Sequence, residues 1–222
     1  SPKASATDGT NIFVLAEYNG SPTIMVVFKF DIANQTLDTT FGPSGIAGIV
    51  TLDDYDPNTY PDIEVDSNGK IWVSAKHYSS GDSLVRLDAV GNFDATFING
   101  GQNPLTHDIE LWDQIRGIEL DSSNNAAIFG VDAPFLNSVQ RNDFQLALLN
   151  SAGVVSNENS VVGIDFGSGE NIEDIALGNE GDLYLAGSGV DSTSFIDNLL
   201  IAKYSSDGTG DSVFGSSGQS NM

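Results

Sequence analysis

The chain's 222 residues are enough for one or two domains with a sizeable core, and a hydrophobic content of 40% argues against wholesale disorder. Its 31 acidic against 8 basic residues give a net charge of −23, a balance that repels nucleic acid and anionic membrane and leaves cations, basic proteins and polar glycans as partners. Cysteine is absent, which excludes disulfides and thiol chemistry, and no apolar run approaches the ~20 residues of a membrane-spanning helix.

The chain opens on Ser1-Pro2-Lys3 rather than Met, which reads as the removal of a leader or a larger upstream region. The predicted elements then recur. A polar turn followed by an apolar strand appears at Thr7–Ala16, Asp66–Ala75, Asp121–Gly130 and Gly178–Gly187. The starts at 7, 66, 121 and 178 lie 59, 55 and 57 residues apart. A short alternating strand precedes the last three: Asp62–Asp66, Gly117–Asp121 and Glu173–Leu177. The Gly/Asn/Asp turn between such runs is hairpin chemistry. A third strand follows at Val27–Asp31, Leu84–Asp88, Leu146–Asn150 and Ile201–Ser205. A weaker fourth is expected near Ile46–Leu52, Leu105–Leu111 and Ser160–Phe166, with only a stub at Gln219–Met222. Helical periodicity is absent throughout.

The pattern predicts an all-β, β-propeller-like fold of four repeats, each of about four antiparallel strands. A β-sandwich is the alternative, although it has no need of the same text four times. One repeat domain is expected over 1–222, with blades near 1–60, 61–114, 115–170 and 171–222. The stub of a last strand suggests part of a larger propeller. Its open last blade would then pair with other copies or with other parts of a larger chain.

Within the third strand a cation recurs as Lys29, Arg86 and Lys203, followed by Asp38, Asp94 and Asp211 and then by Phe41, Phe97 and Phe214. The third repeat loses all three together, with Leu148, Ser156 and Asn159 in their places. Five of the eight basic residues lie elsewhere, so abundance does not force the pattern. An ion pair covered by an aromatic ring, pinning the turn between strands three and four, accounts for the joint loss. Leu37-Asp-Thr-Thr-Phe-Gly-Pro-Ser-Gly45 and Gly210-Asp-Ser-Val-Phe-Gly-Ser-Ser-Gly218 carry it most fully. These segments resemble the bacterial delta-sixty repeat, in which a strand with a basic residue leads into an Asp-x-x-Phe-Gly-x-x-Gly turn. The resemblance implies a propeller-like module of large secreted or surface proteins of bacteria, and it carries no catalytic residues.

Asp54, Asp56, Asn58 and Asp62 set oxygen ligands at positions 1, 3, 5 and 9, the spacing of a Ca²⁺ loop. Thr59 at position 6 and the lack of a Glu at position 12 exclude an EF-hand; the competing reading is a solvated acidic loop. His77 and His107 are too few and too far apart in sequence for a triad or a metal cluster. Trp112, flanked by Asp108, Glu110 and Asp113, offers a sugar-stacking surface, whereas Trp72 alternates with apolar neighbours and reads as core. The expected function is a non-enzymatic binding or structural module at a bacterial cell surface or outside the cell, used for adhesion, matrix or assembly and stiffened by Ca²⁺. Its partners would be a protein or glycan surface. A propeller hydrolase or lyase acting on polysaccharide, with acids at the mouth of an axial channel, is the alternative.

Overall fold

The computed structural model describes the chain except residues 21–22, 44–47, 57–58, 79–80, 98–101, 105–113, 133–134, 137–138, 141–142, 156–160, 165–169, 179–181, 191–196, 206–208, 216–218 and 222. The described residues form strands and turns, without helix. The first sheet orders β1 (Pro2–Thr7), β2 (Asn11–Tyr18), β3 (Ile24–Asp31) and β4 (Thr36–Leu37), with β5 (Ile49–Leu52) also on β3. The second contains β6 (Tyr55–Asp56), β7 (Asp62–Val65), β8 (Ile71–His77), β9 (Gly81–Leu87) and β10 (Gln102–Pro104). The third contains β11 (Gln114–Leu120), β12 (Ala126–Asp132), β15 (Asp143–Leu149) and β16 (Val161–Ile164). A small ribbon, β13 (Phe135–Leu136) with β14 (Val139–Gln140), is inserted between β12 and β15. The fourth runs β17 (Glu170–Leu177), β18 (Leu183–Val190), β19 (Asp197–Tyr204) and β20 (Gln219–Asn221).

Every pairing is antiparallel, so each unit is a meander from an inner to an outer strand. Three details differ from the sequence expectation. Tyr55–Asp56 pairs with His77 and Lys76 and so belongs to the second sheet, ahead of the expected boundary at 61. The described outer strand of that sheet is Gln102–Pro104, ahead of the expected run at 105–111, which lies outside the described residues. The final stub pairs with β19 through Ser220 opposite Ile201, and so supplies the fourth strand of its sheet.

Alternation along each strand gives each sheet two apolar faces, and successive sheets pack face to face. One core joins Phe13, Leu15, Met25 and Val27 of the first unit to Ile71, Val73, Val85 and Leu87 of the second. The next joins Trp72, Leu84 and Phe97 to Ala126, Ile128, Ala147 and Leu149. The last joins Ala127, Phe129 and Leu146 to Leu183, Leu185, Ala202 and Tyr204. No such core joins the fourth unit to the first among the described residues. Each fully buried large apolar side chain contributes about 1.5–3 kcal/mol, so these three seams hold the array together.

The cation device closes the turn of three units. Lys29 Nζ lies 3.1 Å from Asp38 Oδ2, Arg86 Nε 2.8 Å from Asp94 Oδ2, and Lys203 Nζ 2.7 Å from Asp211 Oδ2. Each Asp also donates its backbone N–H to the carbonyl of its cation's residue, and the following Phe donates to the Asp carbonyl. A further member sits across the ladder from the cation: Phe13 opposite Lys29, Trp72 opposite Arg86, Tyr184 opposite Lys203. The Arg86 guanidinium lies 4.9 Å from the Trp72 ring and 4.5 Å from Phe97. In the third unit the same cross-strand pair is Ala127 with Leu148, so the aromatic is lost with the cation.

Candidate functional site

The innermost strands of the four units are β1, β7, β11 and β17, and their upper ends surround a cavity of about 340 Å³. Three of these strands slip register at the same place. The extra residue is Lys3 in β1, Arg116 in β11 and Glu173 in β17. A bulge re-aims its side chain, and all three line the cavity. In the second unit the chain breaks between β6 and β7 instead, and Thr59, Tyr60 and Pro61 fill the corresponding stretch of wall.

One residue further on, Asp62 and Asp174 also line the cavity, and two residues beyond Asp62 on the same face is Glu64. Glu119 stands at the matching position of β11. The intervening Ile63, Ile118 and Ile175 are buried in the three seams. The strand alternation therefore separates a core face from an acidic axial face. Asp62 bridges two units: its Oδ2 accepts the Ile118 N–H at 3.1 Å while Oδ1 accepts that of Ile63 at 2.8 Å. Gly117 makes room for this, since a Cβ there would lie 2.3 Å from the Phe129 ring and 3.2 Å from Asp62 Oδ2.

The acids perturb one another. Burial, then the charges of Glu119 and Asp62, push the Glu64 carboxyl up to about 7. Burial, then the charges of Asp62 and Asp174, do the same to Glu119, also to about 7. Burial raises Asp62 as well, against its two backbone hydrogen bonds. The nearby cations do little to relieve this. Lys3 pairs with Glu17 at 3.1 Å, and the Arg116 guanidinium stacks 4.1 Å from the Tyr60 ring centre. Arg116 Nε is buried and has no hydrogen-bond partner among the described residues.

The proposed Ca²⁺ ligands are distributed differently. Asp62 faces the axis, Asp56 lies in β6 and Asp54 in the turn before it, while Asn58 lies outside the described residues. Among the described residues no three His or acidic side chains are grouped to hold a metal ion. The buried Tyr55 between Asp54 and Asp56 packs edge-on against His77 at 5.1 Å, and burial with the Asp54 charge pushes its hydroxyl up to about 12. His107, Asp108, Glu110, Trp112 and Asp113 lie outside the described residues, and Trp72 is fully buried as expected. The axial set of Glu64, Arg116, Glu119 and Asp174 was not singled out from sequence. Its only signal there is an acid at alternate positions of Asp62-Ile-Glu-Val and Gly117-Ile-Glu-Leu.

No protein-family model and no curated protein matches the chain. Solved structures do. The β-propeller domain of the Trilobed protease from Pyrococcus furiosus, described as having an open velcro topology, superposes with a TM-score of 0.54 at 7% identity, over 100% of this chain and 56% of that one. The fold is propeller-like. The endo-arabinase from Bacteroides thetaiotaomicron gives 0.52 at 14% identity, over 96% of this chain and 76% of that one. The Pyrococcus horikoshii acylaminoacyl peptidase gives 0.56 at 7%, over 100% of this chain and 32% of that one. At these identities the likeness concerns the fold alone. The four units are thus blades of an open propeller, and the cavity lies on its axis.

Proposed function

We propose that the chain is a glycan-binding module of a bacterial secreted or cell-surface protein and that its axial cleft is the binding surface. The observation that supports this reading is Arg116: its buried Nε donates to no described residue. Sugars need donors and acceptors converging on one concave site, with an aromatic face nearby. Arg116, Asp62, Asp174 and Tyr60 supply that set, and a cavity of about 340 Å³ suits one or two sugar rings. The test is calorimetry against a panel of neutral and amino-sugar polysaccharides. Binding is expected, and Arg116→Ala should weaken it about tenfold or more with an unchanged melting midpoint. An absence of binding across the panel, or full binding by the variant, overturns the assignment.

A second reading is favoured by one observation. Burial and neighbouring charge push the Glu64 and Glu119 carboxyls up to about 7, beside Asp62. A protonated acid beside an ionised one is what glycosidic-bond hydrolysis requires. Release of reducing ends from a bound polysaccharide, abolished by Glu119→Gln, would move the assignment from binding to hydrolysis.

A further inference from the structure

The wall of the axial cleft is unevenly charged. It carries the carboxyls of Asp62, Glu119, Glu173 and Asp174 against two cations, Lys3 and Arg116. Lys3 pairs with Glu17 at 3.1 Å, and the Arg116 guanidinium lies 4.1 Å from the Tyr60 ring centre. The charges that act on Glu119 are those of Asp62 and Asp174, and both oppose its ionisation. Such a wall repels a uronate or a sulfated sugar and favours a cation.

Acids alone would accept any cation, and a second observation narrows the choice. Two buried donors beside Asp62 have no hydrogen-bond partner among the described residues, Arg116 Nε and Ser74 Oγ. Ser74 is 0% exposed and stands opposite Asp62 across the ladder, so the two side chains leave the sheet on the same face. Arg116 precedes Gly117, where a Cβ would lie 3.2 Å from Asp62 Oδ2. Buried donors are normally paired. This side of the cleft therefore calls for an oxygen acceptor, while the carboxyls around it call for a charged donor. A metal ion or a simple ammonium ion brings only the charge. A sugar with an amino group beside its hydroxyls brings both within one ring. Tyr60, 53% exposed at the cleft, adds an aromatic surface for such a ring.

We infer that the axial cleft binds polysaccharide bearing free amino groups. The protonated amine sits among Asp62, Glu119 and Asp174, and a ring hydroxyl turns to Arg116. This rests on the glycan-binding reading and adds the class of sugar. N-acetylation leaves the hydroxyls in place and removes the charge, so comparing the two forms of one oligosaccharide isolates what the acids contribute.

Calorimetry on the whole chain at about pH 6, where an α-amino group is protonated, tests this with tetramers of glucosamine, N-acetylglucosamine, glucose and lysine. The glucosamine tetramer is expected to bind once per chain, about tenfold or more tighter than its acetylated form. Raising the salt from about 0.05 M to about 0.5 M should shrink that ratio. Asp174→Asn keeps the Oδ1 acceptor that takes the Ile175 N–H at 2.9 Å. This variant and Glu119→Gln should each cut the ratio about threefold or more. An unchanged ratio in both assigns the preference to the overall charge of −23 and overturns the inference. Equal or tighter binding of the acetylated or glucose tetramer overturns it while the glycan-binding reading stands. Binding of the lysine tetramer alone, or of none of the four, overturns both.

Discussion

Leu148 occupies the place where three other blades hold a cation, and the substitutions around it explain how. A lysine there would lie opposite Ala127 rather than an aromatic ring, and the sequence carries Ser156 where the other three repeats carry an aspartate. Leu148 instead packs, partly buried, against the core between the third and fourth blades. Leu148→Lys is expected to cost about 2–4 kcal/mol, because it desolvates a charge without a partner. Adding Ser156→Asp should recover part of that loss. Urea denaturation measures both, and a neutral Leu148→Lys would show that the pair is decorative. Burial pushes the Asp94 carboxyl up, but hydrogen bonds from Lys70 and Thr96 and the charge of Arg86 outweigh it and hold it well below its ordinary value. Arg86 also donates to the Ser151 carbonyl of the next blade, so one guanidinium ties a turn and a seam. The ion pair and its Phe were legible in the sequence because three residues vanish together. The cross-strand aromatic was not, since Phe, Trp and Tyr at one position look like ordinary core until the ladder register is known. The axial acids were harder still. They sit among 31 acidic residues, and nothing in the spacing reveals a bulge that turns Arg116 toward the axis.

At the scale of the strand and its turn, recurrence comes from side chains that mimic backbone. Asp66, Asp88, Asp121 and Asn150 each accept two backbone N–H groups two and four residues on, which fixes the tight turn that follows. These turns close both hairpins of the second and third blades, which is why the strand–turn–strand text is clearest there. The fourth strands were placed less well because they are only three or four residues long and carry no turn of this kind. The turn also controls how closely blades approach. Gly153 lies at φ 82°, and a Cβ there would stand 2.1 Å from the Phe97 ring of the preceding blade. Gly153→Ala combines backbone strain with displacement of a buried ring, and a loss of about 2–4 kcal/mol is expected from urea denaturation. Gly9→Ala, at a positive φ of 86° but with open space around it, should cost less. Equal costs would mean that the seam is looser than its packing indicates.

For the molecule as a whole, the acids divide into two sets that pull stability in opposite directions with pH. The carboxyls of Asp38, Asp94 and Asp211 are held below their ordinary 3.8, so their stabilisation is present above that value and lost as pH falls through the folded pKa. Glu64 and Glu119 are raised from 4.5 to about 7, so each opposes folding increasingly as pH rises across that interval. The melting midpoint should therefore be higher near about pH 5 than near about pH 8, and the double variant Glu64→Gln, Glu119→Gln should narrow the gap. Scanning calorimetry at fixed ionic strength decides the matter. A midpoint that climbs toward the alkaline side, unaffected by the double variant, contradicts it.

The register slip at the head of the inner strands has a consequence of a different order. Because Lys3, Arg116 and Glu173 are surplus to the ladder, none of them is needed for a strand pair. The same backbone feature offers a base in one blade, a guanidinium in another and an acid in a third. Duplication of the unit has thus supplied three interchangeable slots around one opening. Selection can rewrite what the opening recognises one blade at a time, while the seams that keep the protein folded stay untouched.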